Sequence, residues 1–306
     1  MPGRVLCIMG PTGSGKSDLA VELAQRLSGH VINADSMQVY RGLAIATAAP
    51  GPDDLARAPH HLYGCLALDE SPDAGWYARE AASVVKAVAA QGHLPIVVGG
   101  TFFWMRALFS GLDEIPPVPP EVRAEVRDEL ARHGAEALHK RLSVVDPVSA
   151  ARLRPKDSQR VARAMEVFLA TGTPLSAFQR AEARPGVEAD VMRLVLTMPR
   201  PDLYARIEAR VDRMLQAGLL PEVRAALEAG FSPECRPLRA SSIAPVVRHC
   251  LGEIGAEEMR ARVAQAHRNY AKRQMTWLRA ERDVCLVDAR ELDRVFALVS
   301  AFVQVA

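Results

Sequence analysis

Residues 10–17 read Gly10-Pro11-Thr12-Gly13-Ser14-Gly15-Lys16-Ser17 and match G-x-x-x-x-G-K-[ST] at every fixed position. Glycines in such a run let backbone N–H groups turn inward onto phosphate oxygens, and the helix start that follows adds partial positive charge. Lys16 brings a full charge to a terminal phosphate. Thr12 and Ser14 can donate hydrogen bonds to phosphate oxygens, and Ser17 can ligate Mg2+, the cofactor such a loop implies. The pattern is shared by nucleotide-binding and ATP-binding proteins, so it specifies polyphosphate rather than hydrolysis. A hydrolysing site normally adds an apolar strand that ends in an acidic Mg2+ ligand. Here the apolar run at 94–98 ends in Gly99-Gly100-Thr101, with no acid. Asp35, after residues 30–34, is the acid in a comparable place. The loop therefore suits a diphosphate that departs as a leaving group.

These groups need a scaffold that brings loop ends together. Residues 4–9 form a short apolar run that predicts a strand ended by Gly10. Leu19, Leu23 and Leu27 recur on one helical face, with Gly29 as the expected stop. Val31 and Ile32 start a second strand that ends at residues 33–35. Residues 74–91 predict a helix and 94–98 a buried strand. This alternation argues for an α/β fold, a parallel sheet flanked by helices on both faces. Residues 115–120, Ile115-Pro116-Pro117-Val118-Pro119-Pro120, read as stiff and extended. From Glu121 to about Glu182 the periodicity is helical, with starts at Asp146-Pro147 and Asp157-Ser158 and an end at Thr171-Gly172. A return strand is expected at 192–197, then helices to the C-terminus, including a long basic one over 256–282. The organisation is thus a P-loop core, 1–114 and 190–306, with a helical insertion domain, 115–189.

The chain of 306 residues is 24% charged with a formal net charge of +2. That balance excludes a general basic field, so any nucleic-acid surface must come from local clusters. The five cysteines, Cys7, Cys65, Cys235, Cys250 and Cys285, lack CxxC spacing. A zinc knuckle or disulfide framework is not indicated, and a reducing compartment is the simplest reading. The N-terminal apolar run is too short for a signal peptide, and no run approaches the ~20 residues that span a bilayer. A cytoplasmic, membrane-free monomer is expected.

Longer strings carry a family resemblance. Residues 33–43 read NADSMQVYRGL, 59–62 PHHL, 99–101 GGT, 146–172 DPVSAARLRPKDSQRVARAMEVFLATG and 270–279 YAKRQMTWLR. Together with the phosphate loop, in this order and across nearly the whole chain, they resemble the tRNA dimethylallyltransferases. The resemblance implies transfer of a dimethylallyl group from dimethylallyl diphosphate to the exocyclic amine of the adenine 3′-adjacent to the anticodon of tRNA. It implies Asp35 as the carboxylate that takes a proton from that poorly nucleophilic amine. It implies Thr101 near the reacting centre, donating to the leaving oxygen, and Arg210 reaching the diphosphate; Arg206 lies one turn before Arg210 on the same helical face. Asp35, Ser36, Met37, Gln38, Thr101, Arg123, Gln159, Arg160, Val161, Ala162 and Arg163 would contact the anticodon stem-loop. Arg160 and Arg163 share one helix face, while Val161 and Met165 turn inward. In the basic run at 267–282, Tyr270 and Trp277 are expected to pack inside and the Lys and Arg residues to face phosphates.

Three segments depart from the family pattern. Its Gly-Thr-Ala-Lys-Pro is Ala46-Thr47-Ala48-Ala49-Pro50 here, its Gly-Leu-Tyr after GGT is Phe102-Phe103-Trp104, and its Ile-Gly-Tyr-Lys-Glu is Ser241-Ser242-Ile243-Ala244-Pro245. The second is expected to alter a wall of the prenyl site, and Pro245 fits a helix only in its first turn. A P-loop small-molecule kinase and a weakened paralogue that binds tRNA are the alternatives.

Overall fold

The computed structural model describes residues 3–179 and 184–304. The chain divides into two compact units, Met1–Phe109 with Pro185–Ala306, and Ser110–Arg184. The first begins with β1 (Gly3–Met9), α1 (Lys16–Leu27), β2 (Gly29–Asn33), α2 (Ala44–Thr47), α3 (Pro52–Arg57), β3 (His60–His61), α4 (Ala74–Ala90), β4 (Leu94–Gly99) and α5 (Phe102–Ser110). The second holds α6 (Pro120–Val145), interrupted at Gly134, then α7 (Pro147–Arg152), α8 (Ser158–Thr171) and α9 (Leu175–Phe178). The chain returns with β5 (Ala189–Leu196), α10 (Arg200–Gln216), α11 (Leu219–Glu228), α12 (Ala244–Cys250), α13 (Ala256–Leu278), β6 (Cys285–Val287) and α14 (Leu292–Gln304).

The six strands form one sheet in the order β3-β2-β4-β1-β5-β6, and every pairing is parallel. Alternation along the strands feeds both faces. Leu6, Ile8, Ile96, Val98, Leu194 and Leu196 pack with Leu19 and Leu23 of α1 and Val295 and Val299 of α14. Cys7 points the other way, its Sγ 3.9 Å from Met105 Sδ on α5. Tyr77 of α4 stacks on Trp104 at 4.5 Å there. Burying both faces explains why the strands read as continuous apolar runs.

The register decides what meets at the sheet edge. Asn33 lies opposite Val98, and Met9 opposite Gly99. Because all strands run the same way, the loops after β2, β4 and β1 leave level with one another, one strand spacing of ~4.8 Å apart. Ligands of open α/β sheets bind at that carboxyl edge.

Some details differ from the sequence reading. Ser28, at φ 51°, ends α1 in the left-handed conformation, and Gly29 is already the first residue of β2. Two strands, β3 and β6, interrupt segments where no strand was expected; at two and three residues they are too short to show a period. The long basic helix stops at Leu278 rather than near Arg282. In the insertion the helices run through Phe178, and Glu182 lies outside the described residues. Asp146 and Asp157 cap α7 and α8 through Ser149 N (3.0 Å) and Arg160 N (3.3 Å), and Gly172 at φ 69° ends α8. The second carboxylate oxygen of Asp146 also accepts Ser176 N at 3.0 Å, so one buried side chain ties α7 to α9. Pro245 sits in the first turn of α12, where its missing N–H costs nothing. All five cysteines are free. No described helix is long and apolar enough to cross a membrane.

Candidate functional site

The phosphate loop leaves β1 at Gly10 and enters α1 at Lys16. Gly13 and Gly15 adopt φ of 85° and 90°, which L-residues rarely tolerate, and Ser14 N donates to Pro11 O at 3.2 Å. α10 lies directly against the loop. A Cβ on Gly13 would sit 3.2 Å from Ile207 Cγ1, and one on Gly15 would sit 3.4 Å from Arg206 Nη2.

Lys16, Ser17, Arg206, Arg210 and Arg213 line a cavity of about 500 Å³, closed on another side by Ala48, Ala49 and Pro50. That volume suits a small ligand. Burial is the main cause that lowers the Lys16 pKa to about 8; Arg210 pushes the same way and Asp35 opposes. Burial also lowers the Arg210 pKa, and its Nε is enclosed without a hydrogen-bond partner. Cations this poorly compensated describe a site built for an anion.

Asp35 follows β2 and is held from behind by Asn33, which is fully buried. Asn33 Oδ1 accepts Asp35 N at 2.8 Å, and its Nδ2 donates to Asp35 O at 3.0 Å and Leu62 O at 2.9 Å. One Asp35 carboxylate oxygen accepts Met37 N at 2.9 Å. Among the described residues the other has no hydrogen-bond partner. Thr101 follows β4, and its backbone N–H donates to Ala34 O at 3.1 Å. Its hydroxyl accepts Ser36 N at 3.0 Å and donates to Ser36 Oγ over a long 3.3 Å. Asp35 and Thr101 are thus locked to each other's loops, although neither is part of the cavity lining.

The remaining expected positions separate by burial. Ser36, Met37 and Gln38 are half-buried, and Gln38 Nε2 is engaged by Thr47 O at 3.1 Å and Ala48 O at 2.8 Å. It braces the cavity wall. In the insertion Arg123, Gln159 and Arg160 are exposed, Ala162 and Arg163 half-buried, and Val161 completely buried. Val161 thus belongs to the insertion's core. Phe102 and Trp104 are buried, Phe103 between them is 49% exposed, and none of the three belongs to the cavity wall. Ala49, by contrast, lies in that wall. Tyr270 reaches inward, its hydroxyl donating to Gly100 O at 3.1 Å, but Trp277 is 37% exposed, contrary to expectation. Seven residues leave the two rings within ~20° of one helix face, so the difference lies along α13: Tyr270 meets the Gly100 turn, while Trp277 sits one residue before the helix ends at Leu278.

Sequence reasoning missed three residues. Gln274 is 3% exposed and bridges the phosphate loop to Gly100. Glu222 of α11 accepts Ile45 N at 2.8 Å and Ala46 N at 2.7 Å, capping α2 at the cavity wall. His267 is buried with its Nε2 unpartnered; burial and nearby Arg210 lower its pKa to about 4. Only Gln274 stood in a string that could have flagged it.

Fold and site together define a P-loop α/β protein in which a phosphate loop, a carboxylate and a hydroxyl leave three adjacent strands. A model of the IPP transferase family matches residues 38–281, and an isopentenyl transferase model matches 3–63. The chain belongs to the IPP transferase family. A tRNA dimethylallyltransferase of Halorhodospira halophila is 45% identical over 305 residues, which is 99% of this chain and 98% of that one. One from Rhodopseudomonas palustris is 48% identical over 279 residues, covering 91% and 87%. Among solved structures, the tRNA isopentenylpyrophosphate transferase of Bacillus halodurans is similar at a TM-score of 0.72 and 30% identity, covering 98% of this chain and 96% of that one. A eukaryotic dimethylallyltransferase acting on tRNA gives 0.81 at 27% identity, covering 99% and 80%.

Proposed function

We propose that this protein transfers the dimethylallyl group of dimethylallyl diphosphate to the exocyclic amine of the adenine 3′-adjacent to the tRNA anticodon. The observation that carries the reading is the meeting, at one sheet edge, of an under-compensated anion site with a carboxylate that keeps one oxygen free. Asp35 accepts a proton from the amine as its nitrogen attacks the first carbon of the donor. The N–C bond forms, the C–O bond to diphosphate breaks, and the electron pair leaves with the bridging oxygen. Lys16, Arg210 and the loop N–H groups stabilise the charge that develops there. The Thr101 O–H donates to Ser36 Oγ only over a long 3.3 Å, so its proton can turn to the same oxygen while the hydroxyl still accepts Ser36 N.

Mg2+ fits the donors present in a limited way. The Ser17 hydroxyl and the nearby Asp18 carboxylate line the cavity, and no group of three acids, histidines or cysteines stands ready among the described residues. Such a donor set suits an ion held largely by substrate phosphates and water. When bound it would neutralise charge on the diphosphate.

The adenine must leave its stack to reach Asp35. Arg123, Gln159, Arg160 and Arg163 of the insertion give the anticodon stem-loop its phosphate and base-edge contacts. The enzyme works as a monomer in the cytoplasm.

Incubation with labelled dimethylallyl diphosphate and unmodified tRNA tests the reading. Label is expected in tRNA with wild type and to fall at least ~100-fold with Asp35→Asn, while tRNA affinity stays within about twofold. Near-normal turnover by Asp35→Asn would remove the base assignment. Absence of transfer by the wild type would remove the activity.

A further inference from the structure

The ladder between β1 and β4 ends at the pair Met9 and Gly99. Beyond it the two strands become the phosphate loop and the Gly100–Thr101 turn, and no backbone hydrogen bond joins these loops among the described residues. Their separation still decides whether diphosphate, Asp35 and Thr101 meet in line.

One side chain spans the gap. Gln274 Oε1 accepts Thr12 N at 2.8 Å, and Gln274 Nε2 donates to Gly100 O at 3.0 Å. A carboxamide offers the same donor–acceptor pair as a peptide unit, so it continues the ladder by one rung. Gly100 is what lets it enter: a Cβ there would lie 2.1 Å from Gln274 Nε2. One helical turn earlier, Tyr270 donates its hydroxyl to the same carbonyl at 3.1 Å. Thr12 N is thereby committed to the helix and is not part of the phosphate cradle. The amide is buried, so water does not compete for either bond.

We propose that Gln274 is a positioning residue for the transfer reaction, fixing the phosphate loop against the Gly100–Thr101 turn without touching either substrate. The inference rests on the transferase reading above. A rung of this kind acts on alignment in the transition state, where a displacement of about 1 Å costs on the order of 100-fold. It therefore changes kcat more than the binding of either substrate.

Single-turnover transfer is measured from pH 5.5 to 8.5 for wild type, Gln274→Ala and Gln274→Glu, each expressed as a ratio to wild type. Affinities for tRNA and for inorganic diphosphate are measured alongside. Gln274→Ala is expected to lower kcat ~100-fold at every pH, with tRNA affinity within about twofold. Gln274→Glu separates positioning from packing. A neutral carboxyl group has both the acceptor and the O–H donor the rung needs, and burial favours the neutral form. Its ratio should be low at pH 8.5 and climb at least about tenfold as the pH falls. The proposal is overturned if Gln274→Ala keeps kcat within about threefold of wild type. It is equally overturned if the Gln274→Glu ratio does not change with pH, which also decides the matter should Gln274→Ala fail to fold. If the wild type itself transfers nothing, the activity reading fails separately. The clamp then stands or falls on inorganic diphosphate, which Gln274→Ala should bind roughly tenfold more weakly.

Discussion

Lys16 and Arg210 face one cavity with Asp35 as the main opposing charge, and that imbalance has a measurable consequence. With its pKa near 8, Lys16 is mostly charged at pH 7 and loses its proton as the pH rises through 8. An anionic ligand binds the charged form, so affinity for inorganic diphosphate is expected to fall above pH 8, by up to about tenfold per unit from this group. In Lys16→Arg the cation persists, and this component of the slope should vanish. Calorimetric titrations of both proteins from pH 7 to 9.5 check it, because the ligand's own ionisation cancels in the comparison. Parallel profiles would remove Lys16 as the titrating group. At this scale the sequence was informative about identity and silent about state. Lys16, Asp35 and Arg210 were named from motifs, but that Arg210 Nε lacks a partner, or that Asp35 keeps one oxygen free, depends on neighbours far along the chain.

Among the elements, α2 shows how a short wall is kept in place. Four residues make one hydrogen-bonded turn, which is unstable alone because nucleation is unfavourable. Glu222 satisfies two of its first N–H groups from α11, and Gln38 holds its last carbonyl region from the loop after β2. Burial raises the Glu222 pKa, while the bonds from the α2 N–H groups pull it back. Glu222→Ala would leave those two N–H groups without their partner, at a cost of about 1–3 kcal/mol. The expected result is a lower melting temperature together with a several-fold weaker affinity for inorganic diphosphate, because Ala48 to Pro50 line the cavity. A lower melting temperature with unchanged affinity would show that α2 matters to stability alone. The helices with strong caps, α7 and α8, were legible because Asp146-Pro147 and Asp157-Ser158 are local signals. β3 and β6 were not, since two or three residues become strands only when a neighbouring strand offers its edge.

The whole molecule carries almost no net charge, so attraction to RNA must come from chosen residues. In the insertion, Arg160 pairs with Asp157 at 3.6 Å near the surface, and half-buried Arg163 pairs with Glu166 at 3.6 Å. Pairs of that kind contribute little and release readily to phosphates. Arg160→Ala/Arg163→Ala is expected to weaken tRNA binding and to reduce the slope of log affinity against log salt by roughly 1.5, for two lost phosphate contacts. Filter binding between 50 and 300 mM salt measures it, and an unchanged slope would exclude both arginines from the RNA surface.

By itself the sequence determined the phosphate loop, the parallel α/β core, the helical insertion and the residues of the family strings. Each of these is written in contiguous residues, as a period, a cap or a motif. Tertiary structure alone decided how they combine. The β2-β4-β1 order puts Asp35, Thr101 and the loop side by side, and Gln274, 262 positions beyond Thr12, closes the gap between two of them. It also turned Trp277 outward, and it buried Phe102 and Trp104 while leaving Phe103 between them exposed. Such relations are set by strand order and helix packing, which bring together residues that no local pattern connects.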